Sequence, residues 1–390
     1  FTDSATPDDM GHVFGQPTIT KVRNGSNSYK WAAIFGNGYN STNEKAVLYV
    51  LDIKDGSIIR KVDLSNGVTS AGNGLSEPAV VDTTGDYVAD YVYAGDLKGN
   101  MWVVDLTSNN PSSWDSKYSS GSTPMPLFVA VDASNNAQKI TQRPEVGNHP
   151  TESSGYMVYF GTGKYIETGD NTASTTSIPV NTFYGVWDKP YTGSGTPVTR
   201  AKLLAQTIST ATIGSTSVRT VSNTTIQNWA TSGICSADGS GNCLGCSLDL
   251  RTGYTDSLGE RSISNPVLLG GTLPRIIFTT LIPQSDACSY GGSSWLMEIS
   301  PTNCGRLSQA VFDIDQDGTV TGDTGDLVGG SIPVSGINPG IGIMPQPVIL
   351  RDPANGQDLK AETGSTGAVT TIKNYVSGQT GGRQSWRQLK

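Results

Sequence analysis

The chain of 390 residues is long enough for one large all-β domain, and 47 glycines, 20 prolines and only 15% charged residues are typical of short strands joined by polar turns. Its net charge of -8 and its 26 scattered lysines and arginines argue against nucleic acid as a partner and favour cations as ligands. No apolar run approaches the roughly 20 residues of a transmembrane helix, so we expect no membrane span.

The start, FTDSATPDDM, does not begin with methionine and has no signal-peptide pattern, which indicates a fragment or a processed product. Further along, five segments share a polar residue, a proline, any residue and an aliphatic residue: QPTI, EPAV, RPEV, NPVL and QPVI, with Pro17, Pro78, Pro144, Pro266 and Pro347. The steps are 61, 66, 122 and 81 residues, and 122 is twice 61, which predicts a sixth start near residue 205. Proline suits the first residue of a strand, because that position need not donate to the ladder.

Most of these starts are followed by an apolar strand that runs into glycine, as in WAAIFGNG, DYVYAGD and MVYFGTG. A recurring unit of about 60 residues with several short strands and no helix is the pattern of propeller blades. We therefore predict an all-β propeller with six inferable blade starts and a seventh blade closed by the two termini, with residues 1–390 as a single domain and 188–260 as a variable, decorated Ser/Thr/Gly-rich insertion. The rival architecture is one β-sandwich or a stack of two, but no convincing linker separates two domains.

The five cysteines indicate disulfides formed in an oxidising compartment, and an odd number leaves one free thiol. Cys235, Cys243 and Cys246 share one Ser/Gly-rich stretch, while Cys288 and Cys304 flank SSWLMEIS. The sequence leaves the connectivity open. A zinc site at Cys243 and Cys246 is an alternative, although no second CxxC or nearby histidine completes four ligands.

The segment 313–326, DIDQDGTVTGDTGD, has the pattern of a calcium loop. In an EF-hand-type loop, side-chain oxygens come from positions 1, 3 and 5, glycine at position 6 makes the turn, and position 7 gives its carbonyl oxygen. These five positions are filled by Asp313, Asp315, Asp317, Gly318 and Thr319.

The far end of this loop departs from the pattern. Thr321 stands at position 9, and Thr324 replaces the glutamate of position 12, so either Asp323 or Asp326 must close the shell. No amphipathic helix flanks the loop, which predicts a structural clamp between strands and not a helix-opening sensor. The alternative is an acidic, solvated turn without an ion.

Several stretches together resemble one known family: GHVFGQPTI, WAAIFGNGYNS, AVLYVLDIKDG, EPAVVDTTGDYVADYVYAGDLKGNMWVVDL, VYFGTGKY and GGRQSWRQLK. They are similar to the C-terminal domain of the PilC/PilY family of type IV pilus biogenesis proteins. The resemblance runs from Gly11 to the last residue and is weakest over 188–260. GNGYNS and YAGDLKGNMW are specific in combination.

The resemblance implies a modified, seven-bladed propeller on the bacterial surface, outside the cell, associated with the outer membrane and the pilus tip. It implies roles in pilus assembly, opposition to retraction, twitching motility, host-cell adhesion and virulence. The implied partners are major or minor pilins and a host-cell receptor, and the implied parent chain has a separate N-terminal region. No enzymatic activity is expected.

The family's calcium loop immediately precedes the YAGDL strand, where this chain reads DTTGDYVAD. Asp82, Asp86 and Asp90 match positions 1, 5 and 9 of that loop, and Val88 would give its carbonyl oxygen at position 7. Thr84 stands where Asp or Asn is usual, and no glycine follows Asp86. The resemblance therefore implies a calcium ion with a weakened ligand set, against the alternative of a simple hairpin turn.

An enzyme of propeller fold is the alternative function. LYVLDIKDGSIIRKVDL resembles strand pairs of PQQ-dependent dehydrogenases, but a vicinal cysteine pair is missing. His12 and His149 stand in loop-like contexts and are interpreted as structural turn residues. A glycoside hydrolase would need a spatial pair of carboxylates, which the sequence does not reveal. Aromatic residues that either line a sugar groove or fill the core are Trp31, Trp102, Trp187, Trp295, Tyr49, Tyr91 and Tyr159.

Overall fold

The structure, a computed structural model, is almost entirely β. It describes residues 9–65, 72–152, 154–171, 180–189, 197–230, 234–251, 259–286, 290–320, 322–352 and 357–375. In this part of the chain the only helices are two 3-10 turns, Pro111–Ser113 and Arg200–Lys202. The chain forms two compact units. One comprises the described residues of Phe1–Val146 and Asp188–Arg200, and the other comprises those of Gly147–Trp187 and Ala201–Gly382.

The first unit contains two main sheets. An antiparallel sheet in chain order has the strands β1 (Thr18–Arg23), β2 (Tyr29–Gly36), β3 (Val47–Asp52) and β4 (Ile58–Asp63). The following strands are β5 (Ala79–Val81), β6 (Tyr91–Gly95), β7 (Asn100–Asp105), β8 (Asp115–Ser116), β9 (Tyr118–Ser120), β10 (Thr123–Met125) and β11 (Phe128–Val129). Their sheet has the order β11-β7-β6-β5 with β8 on β7, and β9 and β10 form a separate hairpin.

A shared hydrophobic core holds these two sheets together. Val22, Ile34 and Val50 come from the first sheet, and Val92 and Val104 come from the second. Successive side chains of a strand point to opposite faces of its sheet, so alternate residues of each strand lie on the common face. The turn between β5 and β6, which contains the predicted loop 82–90, is therefore anchored at the edge of a packed core.

The second unit contains three main sheets. Its strands are β12 (Glu145–Asn148), β13 (Tyr156–Gly161), β14 (Thr182–Asp188), β15 (Leu204–Gln206), β16 (Ile208–Ile213), β17 (Thr216–Val221), β18 (Gly245–Asp249), β19 (Val267–Leu269), β20 (Arg275–Pro283), β21 (Gly292–Ile299), β22 (Leu327–Val328), β23 (Ile332–Pro333), β24 (Gly336–Asn338), β25 (Val348–Asp352), β26 (Gln357–Thr363) and β27 (Val369–Tyr375). The sheet orders are β12-β13-β14-β18-β15, β16-β17-β24-β21-β20-β19 and β25-β26-β27, with β22 and β23 as a hairpin.

The five proline segments all mark the start of a strand, as the sequence predicts. The strands that begin directly after these prolines are β1, β5, β12, β19 and β25. Each of the five is an edge strand of a different sheet. The repeated proline therefore reports a repeated sheet, because a proline just outside the first residue costs no ladder hydrogen bond.

The prediction that a sixth repeat starts near residue 205 is wrong. That residue lies in β15, which adds to the sheet that begins at Pro144 by pairing in parallel with β18. The next two strands, β16 and β17, cross into the following sheet, where β17 pairs with β24. The 122-residue step from Pro144 to Pro266 thus contains additional strands that belong to two different sheets. The segment 188–260 supplies β15 to β18 and is built into both sheets where it is described.

The family signature GNGYNS is explained by the fully buried side chain of Asn37. Its Nδ2 donates to the carbonyl oxygens of Asp9 at 2.7 Å and Lys45 at 2.8 Å. Its Oδ1 accepts from the backbone amides of Val47 and Leu75, both at 3.0 Å. All the hydrogen-bonding capacity of this amide is used, so Asn37 binds four backbone groups from three segments of the chain.

The second signature, YAGDLKGNMW, centres on Asp96, which is fully buried. Its Oδ1 accepts from the amides of Lys98 and Asn100, both at 2.9 Å. Its Oδ2 accepts from Asn73 Nδ2 at 3.1 Å and from Trp102 Nε1 at 2.9 Å. A buried carboxylate needs several donors, and here they fix the tight turn between β6 and β7.

The structure settles the pairing of four cysteines. One disulfide joins Cys235 to Cys243 and the other joins Cys246 to Cys304. The zinc alternative is therefore wrong, because both of its thiolates are used in disulfides. The second bond ties β18 to the segment after β21, and Cys288 lies outside the described residues.

Candidate calcium sites

The loop 82–90 connects β5 and β6, and its first carboxylate organises the turn. Asp82 Oδ2 accepts from the amide of Tyr87 at 2.8 Å, and Oδ1 accepts from the amide of Gly85 at 2.7 Å. Both Gly85 and Tyr87 have positive φ, at 76° and 66°. The Thr84 hydroxyl donates to Asp82 Oδ1 at 3.2 Å, so it takes part in the same turn. Both carboxylate oxygens of Asp82 thus already accept hydrogen bonds from backbone amides or from a hydroxyl group.

The last carboxylate of this loop, Asp90, is 1% exposed and is paired with an arginine. Arg23 on β1 lies with Nη1 at 2.9 Å from Asp90 Oδ1 and with Nη2 at 3.5 Å from Asp86 Oδ2. Arg23 Nη1 also donates to the carbonyl oxygen of Ala89 at 3.0 Å. The other oxygen of Asp90 accepts from the amide and the hydroxyl of Thr83, at 2.8 and 2.6 Å.

A guanidinium therefore lies between two of the three carboxylates that the family resemblance assigns to calcium. Val88, the expected carbonyl donor, is buried and forms a parallel bridge with Lys21. Within the described residues, the carboxylates of Asp82, Asp86 and Asp90 do not form a group of three with ligand atoms within 4.8 Å of one another. Calcium at this loop stays a prediction.

The loop 313–326 lies between β21 and β22 and is anchored in the core of the second unit. Phe312 and Ile314, which flank its first carboxylate, are buried in that core with Ile372 of β27. Phe312 also forms an antiparallel bridge with Asn374 on the same strand. The alternation of apolar and acidic residues along the segment thus buries one set of side chains and leaves the aspartates on the other side.

The turn itself follows the calcium-loop pattern. Gln316 and Gly318 have positive φ, at 63° and 89°, which bends the chain back on itself. The amide of Gly318 donates to Asp313 Oδ2 at 3.2 Å, and the amide of Thr319 donates to Asp317 Oδ1 at 2.7 Å. These bonds orient the carboxylates without using all of their oxygens.

The aspartates of this loop converge in two groups. One group is Asp313, Asp315 and Asp317, and the other is Asp315, Asp323 and Asp326, with ligand atoms within 4.8 Å of one another in each. The sequence left the choice between Asp323 and Asp326 open, and the structure brings both of them to Asp315. The assignment of Asp313, Asp315, Asp317, Asp323 and the Thr319 carbonyl as calcium ligands stays a prediction.

Three carboxylate oxygens in these groups have no hydrogen-bond partner within the described part of the chain: Asp313 Oδ1, Asp323 Oδ2 and Asp326 Oδ2. Asp326 is fully buried, and Asp313 is 9% exposed. Burial raises the pKa of Asp326 to about 7, and the negative charges of Asp315, Asp323 and Asp313 add to this rise. Carboxylate oxygens are the ligands that Ca²⁺ prefers, so these residues fit a calcium ion.

The two histidines take part in a turn and in a backbone bridge. His149 is buried, and its Nδ1 accepts from the amides of Thr151 at 3.2 Å and Glu152 at 2.9 Å. Burial lowers the pKa of His149 to about 4, so it is neutral at physiological pH. His12 forms a backbone bridge with Tyr39. The interpretation of both as structural turn residues agrees with these contacts.

Most of the aromatic residues considered for a sugar groove belong to the core. The buried ones are Trp102, Trp187, Trp295, Tyr49 and Tyr159. Trp31 is 53% exposed on β2, with Lys21 Nζ at 5.5 Å from its ring centre. The sequence could not distinguish core aromatic residues from exposed ones, because both kinds lie in strands with alternating apolar and polar residues.

Comparisons with known proteins agree with this architecture. Residues 4–218 match the model of the PilY1 beta-propeller domain. The chain belongs to the PilY1 beta-propeller family. The crystal structure of the Pseudomonas aeruginosa PilY1 C-terminal domain superposes with a TM-score of 0.74 and 32% identity, covering 94% of this chain and 72% of that one. The predicted fold class, an all-β modified β-propeller, is confirmed, while the number of blades stays a prediction.

Curated relatives carry the same name. A PilY1 homolog of Xylella fastidiosa is 35% identical over 100% of this chain and 26% of its own length. Type IV pilus biogenesis factor PilY1 of Pseudomonas aeruginosa PAO1 is 37% identical over 80% of this chain and 27% of its own length. The chain thus spans about a quarter of these relatives. The names describe pilus biogenesis factors and not enzymes, in agreement with the prediction that this chain is not an enzyme.

No helix among the described residues is long and apolar enough to cross a membrane. The resemblance inferred from the sequence is confirmed by the family match and the structural match. Sequence reasoning missed Arg23, because 59 residues separate it from Asp82 and nothing in the β1 segment marks it as a partner of an acidic loop.

Proposed function

We propose that this chain is the calcium-binding propeller of a type IV pilus biogenesis factor. It acts at the bacterial surface and the pilus tip, where it promotes pilus assembly or opposes retraction, and it supports twitching motility and adhesion to host cells. Family membership and the names of the relatives support the pilus role. The proposed partners are major or minor pilins and a host-cell receptor.

The calcium part of the proposal is carried by the 313–326 loop. Three partly or fully buried carboxylate oxygens there lack a partner within the described residues, and they belong to aspartates that converge. Burying an unpaired carboxylate is costly, so a bound cation would stabilise the folded loop. Asp313, Asp315, Asp317 and Asp323 would hold the ion with the Thr319 carbonyl oxygen, and Asp326 lies in the same cluster.

A calcium ion held there would link the connection after β21 to the last sheet. Phe312 and Asn374 already bridge these two segments, and the amide of Asp313 donates to the carbonyl oxygen of Lys373 at 3.4 Å. Binding to the folded state stabilises it by RT ln(1 + [Ca]/Kd). At millimolar calcium this is ~4 kcal/mol for a micromolar Kd, but under ~1.5 kcal/mol for the 0.1 to 1 mM range of extracellular modules.

The loop 82–90 is a second and weaker calcium proposal, based on the family resemblance. Its ligands would be Asp82, Asp86 and Asp90 with the Val88 carbonyl oxygen and, through its hydroxyl, Thr84. Arg23 already forms ion pairs with Asp86 and Asp90. Calcium would therefore have to displace a paired guanidinium, which lowers the expected affinity.

The proposal is tested in the full-length parent protein by replacing Asp313 and Asp317 together with asparagine. We expect fewer surface pili and less twitching than in wild type, and a loss of the response to calcium chelation. Asp238→Asn is the matched control, because Asp238 is also exposed and accepts from a backbone amide two residues ahead, Ser240, at 2.9 Å. Wild-type piliation, twitching and calcium response in the double variant contradict the proposal.

A further inference from the structure

The second carboxylate group of the 313–326 loop has unpartnered oxygens of its own. Asp323 Oδ2 and Asp326 Oδ2 lack a partner within the described residues, while Asp313 Oδ1 is the corresponding oxygen of the first group. Asp326 is fully buried, so its free oxygen cannot be satisfied by bulk water. A single ion held by Asp313, Asp315, Asp317 and Asp323 would still leave Asp326 Oδ2 without a partner among the described residues.

Asp315 belongs to both groups, and its two oxygens face different parts of the loop. Oδ1 accepts from the amide of Asp317 at 3.3 Å, on the side of the first group. Oδ2 lies where a Cβ on Gly325 would clash with it, next to Asp323. The absence of a side chain at Gly325 thus lets one carboxylate reach both groups.

Charge balance also favours more than one ion. The two groups together contain five aspartates, which carry a charge of -5 when ionised. One bound Ca²⁺ leaves three negative charges uncompensated in a small, partly buried volume, whereas two bound Ca²⁺ ions leave one negative charge. Lys373 is the neighbouring cation on the side of the first group, with Nζ 3.9 Å from the Cβ point of Gly318. It lies by the turn of the first group.

We propose that the 313–326 loop binds two calcium ions that share Asp315 as a bridging ligand. Asp313 and Asp317 complete the first position, and Asp323 and Asp326 complete the second. The inference rests on the proposed function only in taking this loop as a calcium site. It does not depend on the role of the chain in pilus assembly.

The test counts calcium bound to the purified chain by native mass spectrometry and calorimetry. A triple variant with asparagine at Asp315, Asp317 and Asp323 measures the calcium that is bound outside this loop. Wild type is expected to bind two equivalents of calcium more than the triple variant. The single variants Asp317→Asn and Asp323→Asn are each expected to bind one equivalent more than the triple variant. Asp238→Asn should keep both ions, and circular dichroism in EDTA checks that every variant is folded.

Gly325→Ala gives an independent test that removes no charge. Its Cβ would push Asp315 Oδ2 away from Asp323, so one equivalent should be lost. An excess of one equivalent in wild type, or loss of all loop calcium in both Asp317→Asn and Asp323→Asn, overturns the two-ion proposal but keeps the loop as a calcium site. Equal calcium in wild type and the triple variant overturns the calcium proposal itself.

Discussion

Replacing Arg23 with methionine tests whether a guanidinium takes the place of a cation in the 82–90 loop. The methionine keeps an apolar stem of similar reach but removes the charge that faces Asp86 and Asp90. Asp90 stays behind with a 1% exposed carboxylate. One of its oxygens keeps the two hydrogen bonds from Thr83, while the other loses its partner.

The expected cost follows from this burial. Removing one partner of a buried ion pair costs about 3–5 kcal/mol, because an uncompensated charge remains. The bonds from Thr83 place Arg23→Met at the lower end, about 3 kcal/mol. Lys45→Met is the control, because its partner Asp63 is 37% exposed and lies 2.9 Å away. Such exposed pairs contribute about 0–1 kcal/mol.

The measurement is chemical denaturation in EDTA, with midpoints compared at equal m-values. A second series in millimolar calcium should stabilise Arg23→Met more than wild type, because the variant leaves the carboxylates open to an ion. If Arg23→Met in EDTA is as stable as Lys45→Met, the guanidinium is not a structural cation. If calcium stabilises both proteins equally, the loop does not exchange arginine for calcium.

Three further predictions concern buried polar groups. Asp96→Ala should destabilise the first unit by about 3 kcal/mol or more, because it strands several buried donors, and a change under about 1 kcal/mol contradicts this. Burial raises the pKa of Glu362 to about 7, so the native state keeps a proton that the unfolded state releases above about pH 4.5. Its contribution to stability falls by ~3 kcal/mol as pH rises to 7, and Glu362→Gln should be more stable than wild type at pH 8; equal pH profiles of denaturation midpoint refute the assignment. His149 acts oppositely, because burial lowers its pKa to about 4 and the unfolded state takes up a proton first as pH falls below about 6.5. His149→Phe should reduce the loss of stability between pH 6.5 and 4, and an unchanged acid limb contradicts this.

The sequence predicts the sheets well where a local rule governs them. A proline outside the first residue of a strand is such a rule, and it located β1, β5, β12, β19 and β25. The start near residue 205 failed because spacing alone does not reveal which sheet a strand joins. β15 pairs in parallel with a strand about 40 residues later, and that choice is made by tertiary packing.

In the candidate sites, too, the sequence predicts the local features but not those that depend on tertiary packing. The turn of the 313–326 loop follows from residue order, since Asp, Gly and Thr at fixed spacings set the backbone. The inclusion of both Asp323 and Asp326 depends on where the chain returns, which the spacing left open. Arg23 reaches the 82–90 loop only because β1 and β6 belong to sheets that share a core.

The most direct test of the central claim is an anomalous-difference map from crystals grown with calcium. We predict density within the 313–326 loop at bonding distance, about 2.3–2.6 Å, from carboxylate oxygens of Asp313, Asp315 and Asp317. A well-ordered loop without an anomalous peak at saturating calcium contradicts the assignment of this chain as a calcium-binding propeller through that loop.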